Sequence, residues 1–401
     1  MISVDEARQR ILAGLRRTPP EMVALSEAWG RVTAAAIVAR LTQPPEDVSA
    51  MDGYALRQAD GGEGNVLRLV GSAPAGHPFG GLVGPGDAVR IFTGSLIPRG
   101  ADTILLQEDA SVGDGLVTVR ETTVAGRHIR RRGQDFGAGD EVVAAGRVIT
   151  ARDVGLAAAA NHPWVRVHRK PRIAVLATGD EIALPGEPIP AGGIISSNAH
   201  ALAGLIRATG GEASILPVAA DDRRSLAEAA TQIRAADMLV TTGGASVGEH
   251  DLVQSALGEQ GLEVDFWKIA MRPGKPLMHG RIGGIPMLGL PGNPVSSLVC
   301  AMLFLIPAIR VLVGLPAAAV PTRPAVLGAA LGENDHRADF LRAKLTQDAG
   351  GGWIATAFPR QDSAMLWLLA QADALILRAP LAPALEAGAR VDIIRLADLG
   401  V

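Results

Sequence analysis

Aromatic residues make up only 3% of this 401-residue chain, and Tyr54 is its single tyrosine. Few rings are therefore available to stack unpaired bases. Charge of either sign is not in excess: the net charge of -3 gives no general pull toward nucleic acid. There is one cysteine, Cys300, which excludes an intramolecular disulfide and any cysteine-rich zinc motif. A reducing cytoplasm is the expected home. Long apolar runs are scarce as well. The most apolar, Leu298 to Ile309, contains Pro307 and falls short of the ~18–20 residues that span a bilayer. The first residues, MISVDEARQR, are charged and helical in pattern, unlike a signal peptide. The eight histidines are scattered without a close pair, and no Ser-His-Asp spacing stands out.

What is present reads as a folded multidomain chain. Hydrophobic residues reach 48% and charged ones 20%, and the length suits about two to four domains. Residues 1–40 read as mostly helical, with Ile2, Val4, Ala7, Ile11 and Leu15 forming a partial apolar face that Pro19 and Pro20 end. From about 45 to 146, short apolar runs alternate with Gly/Pro turns, an all-β texture. Residues 147–169 read as a short helix and a strand. Between 170 and 318 strand candidates 172–178, 213–219, 237–242, 265–270 and 285–290 alternate with helix candidates. The helices are Asn198–Thr209, Asp222–Ala236, Asp251–Glu259 and Pro294–Val313. This alternation predicts a parallel, doubly wound α/β domain. Residues 319–401 return to short β runs and predict a small C-terminal β domain.

Three strands of the α/β region end in glycine-bearing turns: TGDE, TTGGASVGEHD and PGNPVSS. In an open parallel sheet, ligands bind beyond the carboxyl ends of the strands, and helix starts there hold anions. Gly243, Gly244 and Ser246 belong to the second turn; Gly292, Asn293, Pro294, Ser296 and Ser297 to the third. The third turn is either an anion cradle or an ordinary helix start capped by Asn293. MRPGKP carries Arg272 and Lys275, with Lys268 just upstream, a cluster that suits an oxyanion or a solvated basic loop. Gly126 to Asp135 adds Arg127, Arg130, Arg131 and Arg132. Carboxylates stand in several turns: Asp52, Asp135, Asp180, Glu181, Asp221, Asp222 and Asp251. They suit magnesium beside phosphates, or plain capping. Cys300 reads as core. These residues point to a cleft enzyme for a polyanionic, phosphorylated ligand with magnesium.

Seven motifs stand in a familiar order: SAMDGYA (49–55), IFTGSLIPRGADTILLQED (91–109), RRGQDF (131–136), ATGDE (177–181), TTGGASVGEHD (241–251), MRPGKP (271–276) and GLPGNPVSS (289–297). Over nearly its whole length the chain resembles the MoeA family, the bacterial relatives of the gephyrin E domain. That resemblance implies insertion of molybdate into adenylylated molybdopterin, with Mg2+ and release of AMP. It implies a cytoplasmic homodimer, with molybdopterin adenylyltransferase as a possible partner and no role for nucleic acid or membrane. It also implies discontinuous domains: 1–21 with 170–318 as the α/β domain, 22–44 with 147–169 as an elongated subdomain, 45–146 as the β-rich domain and 319–401 as the C-terminal domain.

Carried over by motif, Asp221 and Asp251 resemble the family's metal-associated pair and Glu181 its essential acid. Lys268, Arg272 and Lys275 resemble the molybdate- and phosphate-binding cluster, beside Ser296 and Ser297. Asp52, Thr93 and Asp135 match positions that complete the cleft from the other subunit, and Arg342 the C-terminal domain's contribution. Two positions depart from the pattern: Val48, where the family commonly has asparagine, and Arg272, where lysine also occurs. The pterin dithiolene would supply molybdenum's sulfur ligands, consistent with a lone apolar cysteine. Competing readings are a molybdopterin adenylyltransferase, which is a small single domain that consumes ATP, and a non-catalytic molybdopterin-binding scaffold.

Overall fold

A computed structural model describes residues 1–220, 225, 228, 232–243, 258 and 261–400. All but Gly258 of the expected helix 251–259, most of 222–236, and the site residues Asp221, Gly244, Ser246 and Asp251 lie outside the described residues. The chain forms two compact units. One comprises Met22–Trp29 and Ala35–Val165; the other Met1–Glu21, Gly30–Ala34 and Arg166–Val401.

The first unit is built on a curled six-stranded sheet. Its strands are β1 (Gly53–Leu56), β2 (Val66–Ala73), β3 (Asp87–Ile91), β4 (Thr103–Leu106), β5 (Ala110–Gly113) and β6 (Leu116–Val119). Their order is β4-β1-β3-β2-β6-β5. Alternation sends Tyr54 and Leu56 to one apolar cluster and Ala55 to another, so both faces of the sheet are covered. Helix Ala151–Ala159 starts at Thr150, whose hydroxyl and the Asp153 carboxylate form a reciprocal cap.

The second unit opens with helix Val4–Ala13, capped by the Ser3 hydroxyl on the Glu6 N–H. That helix ends before Pro19 and Pro20, as expected, but residues 20–24 are a strand where 1–40 was expected to be mostly helical. Pro19 and Pro20 fix φ and push their predecessors into extended backbone.

The α/β sheet holds β7 (Arg172–Ala177), β8 (Glu212–Ile215), β9 (Met238–Thr242), β10 (Leu262–Trp267), β12 (Met278–Ile282) and β13 (Ile285–Leu290), where β11 (Met271–Arg272) belongs to a different sheet. The order is β8-β7-β9-β13-β12-β10. Strands β8, β7, β9 and β13 are parallel, as the doubly wound reading expects. The strand expected at 265–270 starts earlier, at Leu262, and runs antiparallel to β12. The turn at Gly283-Gly284 makes β12 and β13 a hairpin, which the sequence reading passed over.

The expected helix at 294–313 is present as Pro294–Cys300, a wider π segment Ala301–Leu305, and Ile306–Leu312. Pro307 lacks an N–H and crowds the carbonyl four residues back; the wider turn just before it absorbs that. The helix is longer than the run Leu298–Ile309 read from sequence, and Pro294–Leu312 is long and apolar enough to cross a membrane. Yet 83% of that stretch is buried within the fold, among Ile11, Val175, Leu202, Ile206 and Leu288. It is a core helix.

The C-terminal strands are β14 (Arg323–Leu327), β15 (Ala338–Gln347), β16 (Trp353–Ala357), β17 (Ala374–Arg378) and β18 (Arg390–Arg395). They close into a small barrel, because β15 pairs with both β16 and β17, and β14 with both β16 and β18, which returns to β17. Closure removes exposed sheet edges. Strand β11, from the MRPGKP stretch, adds to β15 in parallel: Met271 lies opposite Ala338 and Arg272 opposite Asp339.

Candidate functional site at the strand ends

Three strand ends of the α/β sheet meet backbone to backbone. The Thr178 N–H donates to the Thr242 carbonyl at 3.1 Å, and the Gly179 N–H to that of Ala219 at 3.2 Å. Gly243 has φ +94°, and a Cβ there would stand 2.3 Å from the Thr178 carbonyl oxygen. Only glycine fits such a position. A Cβ on Gly292 would lie 3.6 Å from the Gly243 Cα, an ordinary contact. Beyond β7, Glu181 is exposed and folds back: a Cβ on Gly179 would lie 2.6 Å from its carboxylate oxygen Oε2. Asp180 beside it is also exposed.

Asn198, the first residue of helix Asn198–Ala208, stitches these loops together. Its Nδ2 donates to Thr242 Oγ1 at 2.8 Å and to the Gly292 carbonyl at 2.7 Å. Its Oδ1 has no partner among the described residues, and neither has Thr178 Oγ1 nor Ser297 Oγ, all three being buried atoms. A buried polar atom without a partner costs about 1–3 kcal/mol. Asn198 Oδ1 and Thr178 Oγ1 belong to the touching strand-end loops, while Ser297 Oγ lies on helix Pro294–Cys300. Sequence reasoning missed Asn198; the signal was SSN standing directly before an apolar helical stretch.

The PGNPVSS turn starts its helix with Pro294 at the first position. Asn293 occupies the N-cap position, but its side chain makes no cap bond. Instead Nδ2 donates to Ser363 Oγ at 3.0 Å, while the Val295 N–H donates to the Ser363 carbonyl at 3.0 Å. Gly292 and Asn293 are exposed, whereas Ser296 and Ser297 are buried. The loop carrying Ser363 is held by Arg342, which is 1% exposed on β15. Its Nε donates to Gln361 Oε1 at 3.0 Å and its Nη1 to the Asp362 carbonyl at 2.6 Å. Burial pulls the Arg342 guanidinium below its ordinary pKa. Gln361 and Ser363 carried no signal in sequence, because their partners are distant along the chain.

The basic cluster divides into two kinds of cation. Arg272 is bound to the barrel: Nε and Nη2 donate to Asp339 Oδ2, and Nη1 lies 3.5 Å from Asp335. The Asp339 carboxylate, itself nearly buried, raises the Arg272 pKa. Lys275 is exposed at the head of its loop and has no ion-pair partner among the described residues. Its carbonyl accepts from the Ile269 N–H at 3.0 Å and the Leu277 N–H at 3.1 Å. Lys268, at φ +81°, holds its Nζ 4.0 Å from the Trp267 ring centre, a cation–π contact. Cys300 is fully buried against Gly274, and burial pushes its thiol pKa far up.

The other unit carries Asp52, Thr93 and Asp135. Asp52 Oδ1 accepts from the Thr93 N–H at 2.8 Å and from Thr93 Oγ1 at 2.9 Å. Those bonds, the backbone one first, hold the Asp52 carboxyl below the usual carboxylate range. Asp135 is exposed, and its N–H donates to the Gln43 carbonyl at 3.0 Å. Of the nearby arginines, Arg127 pairs with Glu121 and Arg131 with Asp47. Among the described residues no three His, Cys, Asp or Glu side chains group as metal ligands. The pair expected for magnesium, Asp221 and Asp251, lies outside them.

Comparison with known proteins covers almost the entire chain. Residues 2–161 match the MoeA N-terminal region (domain I and II), 174–311 a probable molybdopterin binding domain, and 324–396 the MoeA C-terminal region (domain IV). Molybdopterin molybdenumtransferase 2 of Mycobacterium tuberculosis (strain H37Rv) is 36% identical over 361 residues, covering 87% of this chain and 89% of that one. Molybdopterin molybdenumtransferase of Staphylococcus aureus (strain COL) is 30% identical, covering 98% of this chain and 95% of its own. The crystal structure of the molybdopterin biosynthesis moea protein from Pyrococcus horikosii superposes with a TM-score of 0.85 at 29% identity, covering 98% and 99% of the two chains.

Proposed function

We propose, from the premise that the chain belongs to the MoeA family of molybdopterin molybdenumtransferases, that it inserts molybdate into adenylylated molybdopterin and releases AMP. It is a transferase of molybdenum cofactor biosynthesis. The observation that carries the substrate reading is the strand-end surface, where Gly243 and Gly292 permit close backbone approach and Asn198 Oδ1 and Thr178 Oγ1 have no partner among the described residues.

The roles follow from chemistry. The phosphorylated pterin lies over the glycine turns and takes hydrogen bonds from Thr178 and Ser297 and to Asn198 Oδ1. Molybdate, a tetrahedral dianion, meets the start of helix Pro294–Leu312 and the ammonium of Lys275. Lys268 adds positive charge nearby. Arg272 and Arg342 act one step back: the first ties the basic loop to the barrel, the second fixes the Ser363 loop against Asn293. Glu181, Asp52, Thr93 and Asp135 keep the roles their motifs imply. Mg2+ at Asp221 and Asp251 would neutralise charge on the diphosphate.

Exposed Met22, Trp29 and Trp164, all in one unit, support a homodimer. A buried, single cysteine supports a reducing, cytoplasmic setting. Molybdopterin adenylyltransferase is the natural partner, since it makes the adenylylated substrate.

The test is incubation with adenylylated molybdopterin and molybdate, following AMP release and molybdenum cofactor formation, with and without Mg2+. No molybdate-dependent AMP release, or ATP consumption in its place, refutes the assignment.

A further inference from the structure

The C-terminal barrel carries a cation that the strand-end site does not use. Arg378 ends β17 and is 4% exposed. It continues the inward-facing alternation of Ala374 and Ile376, both in the barrel core. Its Nη2 donates to the carbonyls of Gly332 at 3.1 Å and Ala382 at 3.3 Å, and to that of Pro383. Its Nε and Nη1 are buried and have no partner among the described residues. The acid opposite it in register is Asp339, whose Oδ2 is committed to Arg272. A guanidinium stays charged at any ordinary pH. A buried charge whose facing acid is already shared with another cation is incompletely compensated, and water would satisfy its N–H groups without adding negative charge.

Arg378 also lines a cavity of about 350 Å³. That volume is at the small end of metabolite sites and far exceeds a bare tetrahedral ion. The walls include Leu377, Leu385 and Val391; exposed Arg390 adds a second cation, and Asp392 an acid. We propose that this cavity binds a small organic anion. Its single acidic head, carboxylate or phosphate monoester, is held by the Arg378 guanidinium at the cavity wall and is drawn in by Arg390. Its apolar body lies against Leu377, Leu385 and Val391. Asp392 disfavours a second negative group on the same ligand. This site shares no residue with the strand-end surface and does not depend on the function proposed above.

The test is methyl NMR of the full chain carrying ¹³C-labelled leucine and valine, titrated with phenyl phosphate, benzoate and inorganic phosphate. Saturable shifts of the Leu377, Leu385 and Val391 methyls with either organic probe support the site, the tighter probe naming the head group. Inorganic phosphate should bind at least ten-fold more weakly. Arg378→Met should abolish the shifts, and Arg390→Ala should weaken binding at least three-fold. Absent shifts with both organic probes, shifts that persist in Arg378→Met, or equal affinity for inorganic phosphate would each overturn the proposal. If Arg378→Met does not fold, Arg390→Ala decides: unchanged affinity there overturns it.

Discussion

Replacing Gly243 by alanine tests the strand-end geometry at its tightest point. The new Cβ would stand 2.3 Å from the Thr178 carbonyl oxygen. A relaxed C···O contact needs about 3.3 Å, so the loops after β7 and β9 must part by about 1 Å. The forced φ of +94° is a second penalty, of about 1–3 kcal/mol for a residue with a side chain. Overpacking adds about 1–3 kcal/mol. The sum, about 2–6 kcal/mol, corresponds to a fall in melting temperature of roughly 4–11 °C for a unit of this size. A 1 Å displacement of a binding surface costs about 10²-fold in turnover. Gly292→Ala is the matched control, since its Cβ finds 3.6 Å of room. It should change stability by no more than about 0.5 kcal/mol. The assays are calorimetric melting and molybdate-dependent AMP release. The reasoning fails if Gly243→Ala melts with the wild type, or if the melting temperature of Gly292→Ala falls as far.

Asn198→Ala removes the bonds to Thr242 and Gly292 and should cost about 1–3 kcal/mol in urea unfolding, with a raised KM for the pterin substrate; an unchanged KM refutes its place in the site. Lys275→Ala should keep wild-type stability within about 0.5 kcal/mol but lose molybdate affinity. Arg272→Met should do the reverse, losing about 1–3 kcal/mol by leaving the buried Asp339 carboxylate unpaired; swapped outcomes refute the division of the cluster. Cys300, its thiol pushed up by burial, should resist iodoacetamide at pH 8 until the chain is unfolded. Burial pushes His279 below its ordinary pKa, with Arg281 acting the same way and Asp265 against it. The unfolded chain therefore takes up its proton first. The associated stability is present above about pH 6.5 and falls as pH drops through the folded value. His279→Gln should flatten that slope in urea melts at pH 5 to 7.5.

Much of this arrangement was legible in sequence where local chemistry decides structure. The turns at Gly243 and Gly292 could be placed at strand ends because apolar runs stop at them. The helix from Pro294 could be placed because proline suits its first position. What stayed hidden depends on partners far along the chain. MRPGKP reads as an oxyanion-binding or solvated basic loop until Asp339, 67 residues away from Arg272, is brought beside it. Ser296 and Ser297 read as hydroxyl donors of the third turn, and nothing in a turn motif tells which face of the helix is covered. The strand β12 was missed because MHGRI carries no clean alternation.

The loop from Lys268 to Pro276 is fastened at several points: Lys268 and Ile269 to Leu277 and Lys275, Arg272 to Asp339 in the barrel, and Gly274 against Cys300 in the core helix. Loops ordinarily absorb insertions and deletions as sequences drift apart. This one cannot. Losing or gaining a residue would slide Arg272 off its acid, drive a side chain into Cys300 and carry Lys275 away from its place, all at once. Its length should therefore stay fixed among proteins that keep this barrel, even where the residues filling it change.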